Sequence, residues 1–232
     1  MTRHDLKEQL QHDQFTDTVS NVISYTQTHR QQVIRWAVIG AVVLLLAGGI
    51  WWYVSAQKAQ RQKDLSAAMT VVDAQVGPAN EFSKTYPTNE AKDAAATKAL
   101  SDVGAKDGDS KEGMIALYYL ATIKAKKDQA SAVPDFQKVS NSSSDVAPLA
   151  KIALAQIYVG QNKLAQAQDL LRSIINTPTD LVSKAQAQIL LAQTEAASDP
   201  KDAKAQLKMI SPDAQKRAAV SRAADSVSAQ LK

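Results

Sequence analysis

No cysteine occurs in this chain, so disulfide and thiolate chemistry are excluded and the redox compartment is not readable from thiols. The three histidines, His4, His12 and His29, all lie in the first 29 residues. Everything beyond them lacks both His and Cys, and the usual sets of nucleophile, base and zinc ligand cannot be assembled there. Of the eight glycines, Gly40, Gly48 and Gly49 fall in one apolar run, and the other five (Gly77, Gly104, Gly108, Gly113, Gly160) form no phosphate-cradling loop. Asp107-Gly108-Asp109 with Glu112 lacks the ligand spacing of a calcium loop and reads as a solvated turn. Asn141-Ser142-Ser143 fits a glycosylation acceptor, a pattern that polar loops meet by chance. Aromatic residues make up only 5% of the chain, and no basic stripe is interleaved with them. A net charge of +4 spread over scattered lysines argues against a nucleic-acid surface. Enzymatic activity is therefore the least supported class, and no cofactor or metal site is expected.

What the chain does have is a run without charge, the nineteen residues from Trp36 to Val54. At about 1.5 Å per helical residue such a run crosses the roughly 30 Å hydrocarbon core of a bilayer. All three tryptophans (Trp36, Trp51, Trp52) and Tyr53 sit at its ends, where amphipathic rings favour the headgroup level, and Arg35 and Lys58 bracket it. A cleaved signal sequence has an apolar stretch of roughly 7 to 15 residues close behind a short basic leader. Here 35 residues come first, so an uncleaved anchor is the better reading, although Val54-Ser55-Ala56 resembles a cleavage site. Two basic residues shortly before the run (Arg30, Arg35) and three after it (Lys58, Arg61, Lys63) leave orientation undecided. The part before the run balances four basic against four acidic residues, so the positive charge falls after it, 23 basic against 19 acidic.

Beyond the run, alanine, lysine, glutamine and leucine dominate, β-branched alternation is missing, and Gly or Pro punctuates every few tens of residues, which predicts an all-α domain. Its clearest unit runs from Pro148 to Asp180. Lys151, Leu154, Ala155 and Tyr158 fall at the spacing of the first helix of a tetratricopeptide repeat, with Lys151 replacing the aromatic and Ala155 the glycine. A turn follows at Gln161-Asn162, where Asn tolerates the left-handed conformation of a helix end. Ala167, Leu171 and Ile174 match the second helix, and Pro178 closes the unit. Small residues at 155 and 167 would let two helices approach closely.

The second-helix pattern recurs as Ala132, Phe136, Val139 and as Ala203, Leu207, Ile210, with alanines 35 and 36 residues apart against about 34 for the repeat. The matching first helices are Met114 to Lys126 and Val182 to Ala197, and Pro134 is assigned to the first turn of its helix, where a missing N–H is harmless. Ser211-Pro212 opens a final capping helix with Val220, Ala224, Val227 and Leu231 on its apolar stripe. Upstream, the membrane helix is expected to continue as a stalk as far as Gly77-Pro78, followed by a helix from Asn89 to Val103 and a flexible connection from Gly104 to Lys111. The expected organisation is a tail (1–35), a transmembrane helix (36–54), a stalk with the first helices (55–110), a tetratricopeptide-like α-solenoid (111–210) and a cap (211–232). An irregular helical bundle whose apolar residues merely recur is the alternative.

In a stacked array the first helices line a groove, and Met114, Leu117, Leu149, Ile152 and Val159 are the candidate partner-binding residues. The alternative role for them is packing between helices. In the span, Ala37, Ala41 and Gly48 lie within about 40° of one another at 100° per residue, a candidate seam for another transmembrane helix.

Taken together, the tail with its amphipathic stretch Thr16 to Thr28, the single span, the alanine-rich helix after it and the segment ALAQIYVGQNKLAQAQDLL from Ala153 to Leu171 resemble the YfgM-like family of bacterial inner-membrane proteins, ancillary subunits of the Sec translocon. The likeness covers nearly the whole chain, on motifs of moderate specificity. It implies a cytoplasmic tail and a periplasmic repeat domain. It also implies partnership with Sec translocon subunits and with a membrane-anchored periplasmic chaperone of parvulin-like type, lipid around the span, and no catalytic residues. A tetratricopeptide scaffold for another envelope or cell-division complex is the competing reading of the same features.

Overall fold

No proline interrupts the chain from Arg30 to Val72, and despite Gly40, Gly48 and Gly49 it forms one uninterrupted helix, α1 (Arg30–Val72). A computed structural model describes residues 30–78, 84–196, 199–210, 212–216 and 218–231. The amphipathic stretch Thr16 to Thr28 and the cap residue Ser211 lie outside them. The chain divides into two units, Met1–Ala59 and Gln60–Lys232. In the first unit, the apolar side chains of α1 touch no core: Leu44 and Leu45 are 75% and 76% exposed, and Trp36, Trp51 and Trp52 about as much. A helix of this length and hydropathy, with none of its apolar window buried, is long and apolar enough to span a membrane.

The second unit is helical apart from one short bridge among its described residues. That bridge joins β1 (Gln75–Val76) and β2 (Thr85–Tyr86) in parallel, with Gln75 opposite Thr85, and nothing in the sequence pattern announces it. The helices are α2 (Asn89–Asp107), α3 (Lys111–Lys127), α4 (Gln129–Ser140), α5 (Ala147–Gly160), α6 (Leu164–Asn176), α7 (Lys184–Glu195), α8 (Pro200–Lys208), the single turn α9 (Pro212–Gln215) and α10 (Ala218–Gln230). Each helix from α2 to α8 packs on the next, and α10 packs back on α7. Polar side chains start them: Thr88, Ser110, Asp128, Ser183 and Asp199 accept backbone N–H groups at the beginnings of α2, α3, α4, α7 and α8. Between α5 and α6 the chain reverses through Asn162 at φ 57°, the left-handed turn residue expected there.

The recurring second-helix positions are the core. Ala132, Ala167 and Ala203 are fully buried in α4, α6 and α8, and Phe136, Val139, Leu171, Ile174 and Ile210 are at most 2% exposed. Leu207 is only half-buried, and Ile210 lies just past the end of the short α8. Each cluster draws on neighbouring helices in sequence: Phe136 and Val139 of α4 meet Met114 and Ala121 of α3 and Leu154 of α5. The last residues of α1 join in too, since Leu65, Ala68 and Val71 pack with Leu100 of α2 and Leu120 of α3.

Five details differ from the sequence reading. α1 stops at Val72, short of Gly77-Pro78, because the next residues leave the helix to pair as β1. α2 runs through Gly104 to Asp107, so the connection shrinks to three residues, Gly108 to Ser110. Asp107 is not a solvated turn residue: its side chain is 6% exposed and its Oδ1 lies 3.3 Å from Arg61 Nε of α1. The joint there is tight, since a Cβ on Gly113 would overlap the Asp107 carbonyl oxygen, and α3 starts directly against the end of α2. Pro134 sits in the second turn of α4, five residues after Gln129, where it removes an i to i−4 bond. It is exposed, as is Ala130, so water can satisfy the carbonyl left over. The final helix is not one rod, because α9 ends at Gln215 before α10 begins at Ala218; Val227 and Leu231 of its stripe are nonetheless buried against α7 and α8.

Candidate partner-binding site

The five groove candidates do not share one surface. Met114 is 6% exposed inside the α3–α4–α5 core, so it lines no open groove. Helical periodicity marks an apolar face correctly but cannot say that α4 and α5 cover that part of it. Leu117 is half-buried between two core clusters, and Leu149 half-buried against Ile174, Val182 and Ala187. Their main contacts are packing contacts.

Ile152 and Val159 are different. Both line a cleft of about 210 Å³ between α5 and α7, together with Leu190 on the opposite wall. Its floor is Ala155 and Leu171, 2% and 1% exposed, which pack on Ala167 and Leu191. The alanine at position 155 lowers that floor: a larger residue on this turn of α5 would fill it. Val159 stays 40% exposed at the mouth. Gln156 of α5 and Gln193 of α7, both exposed, form the rim with Thr194. Sequence reasoning misses these glutamines. Their signal is present as polar positions beside the apolar stripes, but only the pairing of α5 with α7 brings them to one opening.

Beside the cleft, the last turn of α7 holds an ion pair that the sequence does not reveal. Glu195 is 2% exposed, and Arg172 of α6 donates to its Oε1 at 3.1 Å. Burial pushes the Glu195 carboxyl above its ordinary range, Arg172 opposes that shift, and the nearby Asp202 and Asp199 add to it. A second pair ties α1 to α2, where Lys106 donates to Asp64 and holds that carboxyl below its ordinary range, with help from Gln60. Both pairs join helices to one another, and Asp64 and Lys106 also line a shallow cleft between α1 and α2. Among the described residues no three of His, Asp and Glu come together in a way that could hold a metal ion.

In the first unit the seam residues Ala37, Ala41 and Gly48 are exposed. A Cβ at Gly40, Gly48 or Gly49 would meet nothing within 4 Å. These glycines therefore serve no packing within the described chain.

Compared with known proteins, the chain matches no family model, no curated protein and no solved structure.

Proposed function

We propose that this protein is a non-catalytic, single-pass membrane protein whose helical domain binds other proteins. The observation that carries this reading is the cleft between α5 and α7, lined mostly by apolar side chains with Val159 40% exposed, in a domain whose other large apolar residues are mostly covered. The unburied apolar length of α1 supports a lipid-embedded anchor. The helix pairs α3–α4, α5–α6 and α7–α8 follow the tetratricopeptide spacing in their buried alanines, which supports a repeat array built for binding.

The setting we propose is that of the YfgM-like resemblance. The tail lies in the cytoplasm of a bacterial cell, the domain in the periplasm, and the protein assists the handover of emerging polypeptides from the Sec translocon to a membrane-anchored chaperone. Ala37, Ala41 and Gly48 would meet a translocon helix, since small residues allow close approach within a bilayer. Site-specific photocrosslinking from Ala41 and from Ile152 in intact cells tests both surfaces. Translocon subunits from Ala41 and a chaperone or emerging chain from Ile152 are the expected products. Division or cell-wall components as dominant products would replace this reading with the scaffold one. Two variants separate the surfaces: Ala41→Leu with Gly48→Leu should weaken association in the membrane, and Val159→Glu should weaken soluble partners. Val159 is preferred to Leu149 here because Leu149 contributes to the core.

A further inference from the structure

Charge distinguishes the α5–α7 cleft from its surroundings. Charged residues make up 22% of the chain, yet none lines this cleft. Its two rim carboxamides, Gln156 and Gln193, are exposed and make no hydrogen bond to any described residue. Each offers two donors and an acceptor, the complement of a peptide group. Thr194 differs, since its hydroxyl already donates to the Leu190 carbonyl at 2.9 Å. The volume sets a further limit. An apolar cavity of about 150 Å³ holds a benzene ring, so about 210 Å³ admits one side chain of leucine or phenylalanine size, and a helix, whose peptide groups are already paired, would leave the two carboxamides unused.

Resting on the protein-binding reading above, we propose that this cleft takes one large apolar side chain from an extended, uncharged stretch of polypeptide. The flanking peptide groups of that stretch pair with the carboxamides of Gln156 and Gln193. A carboxylate or ammonium entering the cleft would lose water and find no counter-charge on the lining, so charged segments are rejected. The floor is rigid because Ala155 and Leu171 are themselves core residues, and selection therefore falls on the size and charge of the inserted side chain. An extended chain turns its side chains to alternate sides, so a single cleft of this size reads one residue while its neighbours stay in solvent.

The test uses the full chain in nanodiscs and fluorescence anisotropy of labelled nonapeptides with blocked ends, made of serine, asparagine and glycine around one central leucine. The leucine peptide should bind, and its counterpart with aspartate at the centre should bind at least about tenfold more weakly. Gln156→Ala with Gln193→Ala, at exposed positions that leave the core intact, should weaken the leucine peptide by about tenfold, as expected for losing two modest hydrogen bonds. A labelled decanoyl chain serves as the lipid-like probe and has no peptide groups to pair. Equal binding of the aspartate peptide, or no effect of the double substitution, overturns the proposal, as does a decanoyl chain that binds more tightly than the leucine peptide. These outcomes are separable from failure of the protein-binding reading, because a chaperone or emerging-chain crosslink at Ile152 would still stand.

Discussion

Shortening Leu171 to alanine removes three carbon atoms from a residue that serves both the packing of α5, α6 and α7 and the floor of the cleft. The transfer part of the loss is about 2 kcal/mol at roughly 0.8 kcal/mol per buried methylene. The remainder depends on whether neighbours can collapse into the space. Here they cannot do so readily, because Ala155 and Ala167 have no side chain to swing inward and Leu191 is held at 0% exposure. The void does open into the cleft, however, which lets solvent in and keeps the cost below the top of the usual range of about 2 to 5 kcal/mol. We expect about 3 kcal/mol, a large share of the roughly 5 to 15 kcal/mol that stabilises a domain. The assay is urea unfolding of the fragment Gln60–Lys232, followed by circular dichroism, with Val159→Ala as the reference. Val159 is 40% exposed at the cleft mouth, so its truncation should cost under about 1 kcal/mol. Equal losses for the two variants would refute the claim that Leu171 locks three helices together.

Other substitutions probe the joints. Glu195→Gln should leave stability unchanged or raise it at neutral pH and flatten its acid dependence. Burial holds the wild-type carboxyl above its ordinary value of 4.5, so the stability it contributes is complete below that value and is lost as pH rises through the raised one. Chemical denaturation between about pH 4 and 8 would show the difference, and identical profiles would contradict the upward shift of the Glu195 carboxyl. Gly113→Ala should destabilise the α2–α3 joint by more than about 1 kcal/mol, since its Cβ would strike the Asp107 carbonyl oxygen. Gly104→Ala, within α2 with nothing within 4 Å of the new methyl, should stabilise by about 0.5 to 1 kcal/mol. Thermal melts of the two variants should move in opposite directions, and a shift of the same sign would contradict the placement of one of them.

What the sequence made legible was local. The uncharged run with its tryptophans, the alanine spacing at Ala132, Ala167 and Ala203, and the left-handed turn at Asn162 each follow from short-range pattern or residue chemistry. What it hid were properties of helices meeting. Asp107 and Glu195 look like surface carboxylates until Arg61 and Arg172 are brought beside them from other helices. Met114 sits on an apolar face, and nothing local shows that α4 and α5 close over it. Pro134 reads as a first-turn residue because prolines favour that place. Yet α4 is already capped upstream by Asp128, whose carboxylate accepts the N–H groups of Ala130 and Ser131. The Gln75–Val76 bridge is too short to leave a strand pattern.

Anchorage through α1, with the helical domain on the side where translocated polypeptides emerge, is the proposal on which the others depend. It is tested by protease treatment of intact bacterial spheroplasts carrying the protein with alkaline phosphatase fused after Lys232. An active phosphatase, a digested domain and a protected tail are expected. An inactive fusion with a protected domain would place the helices in the cytoplasm and overturn it.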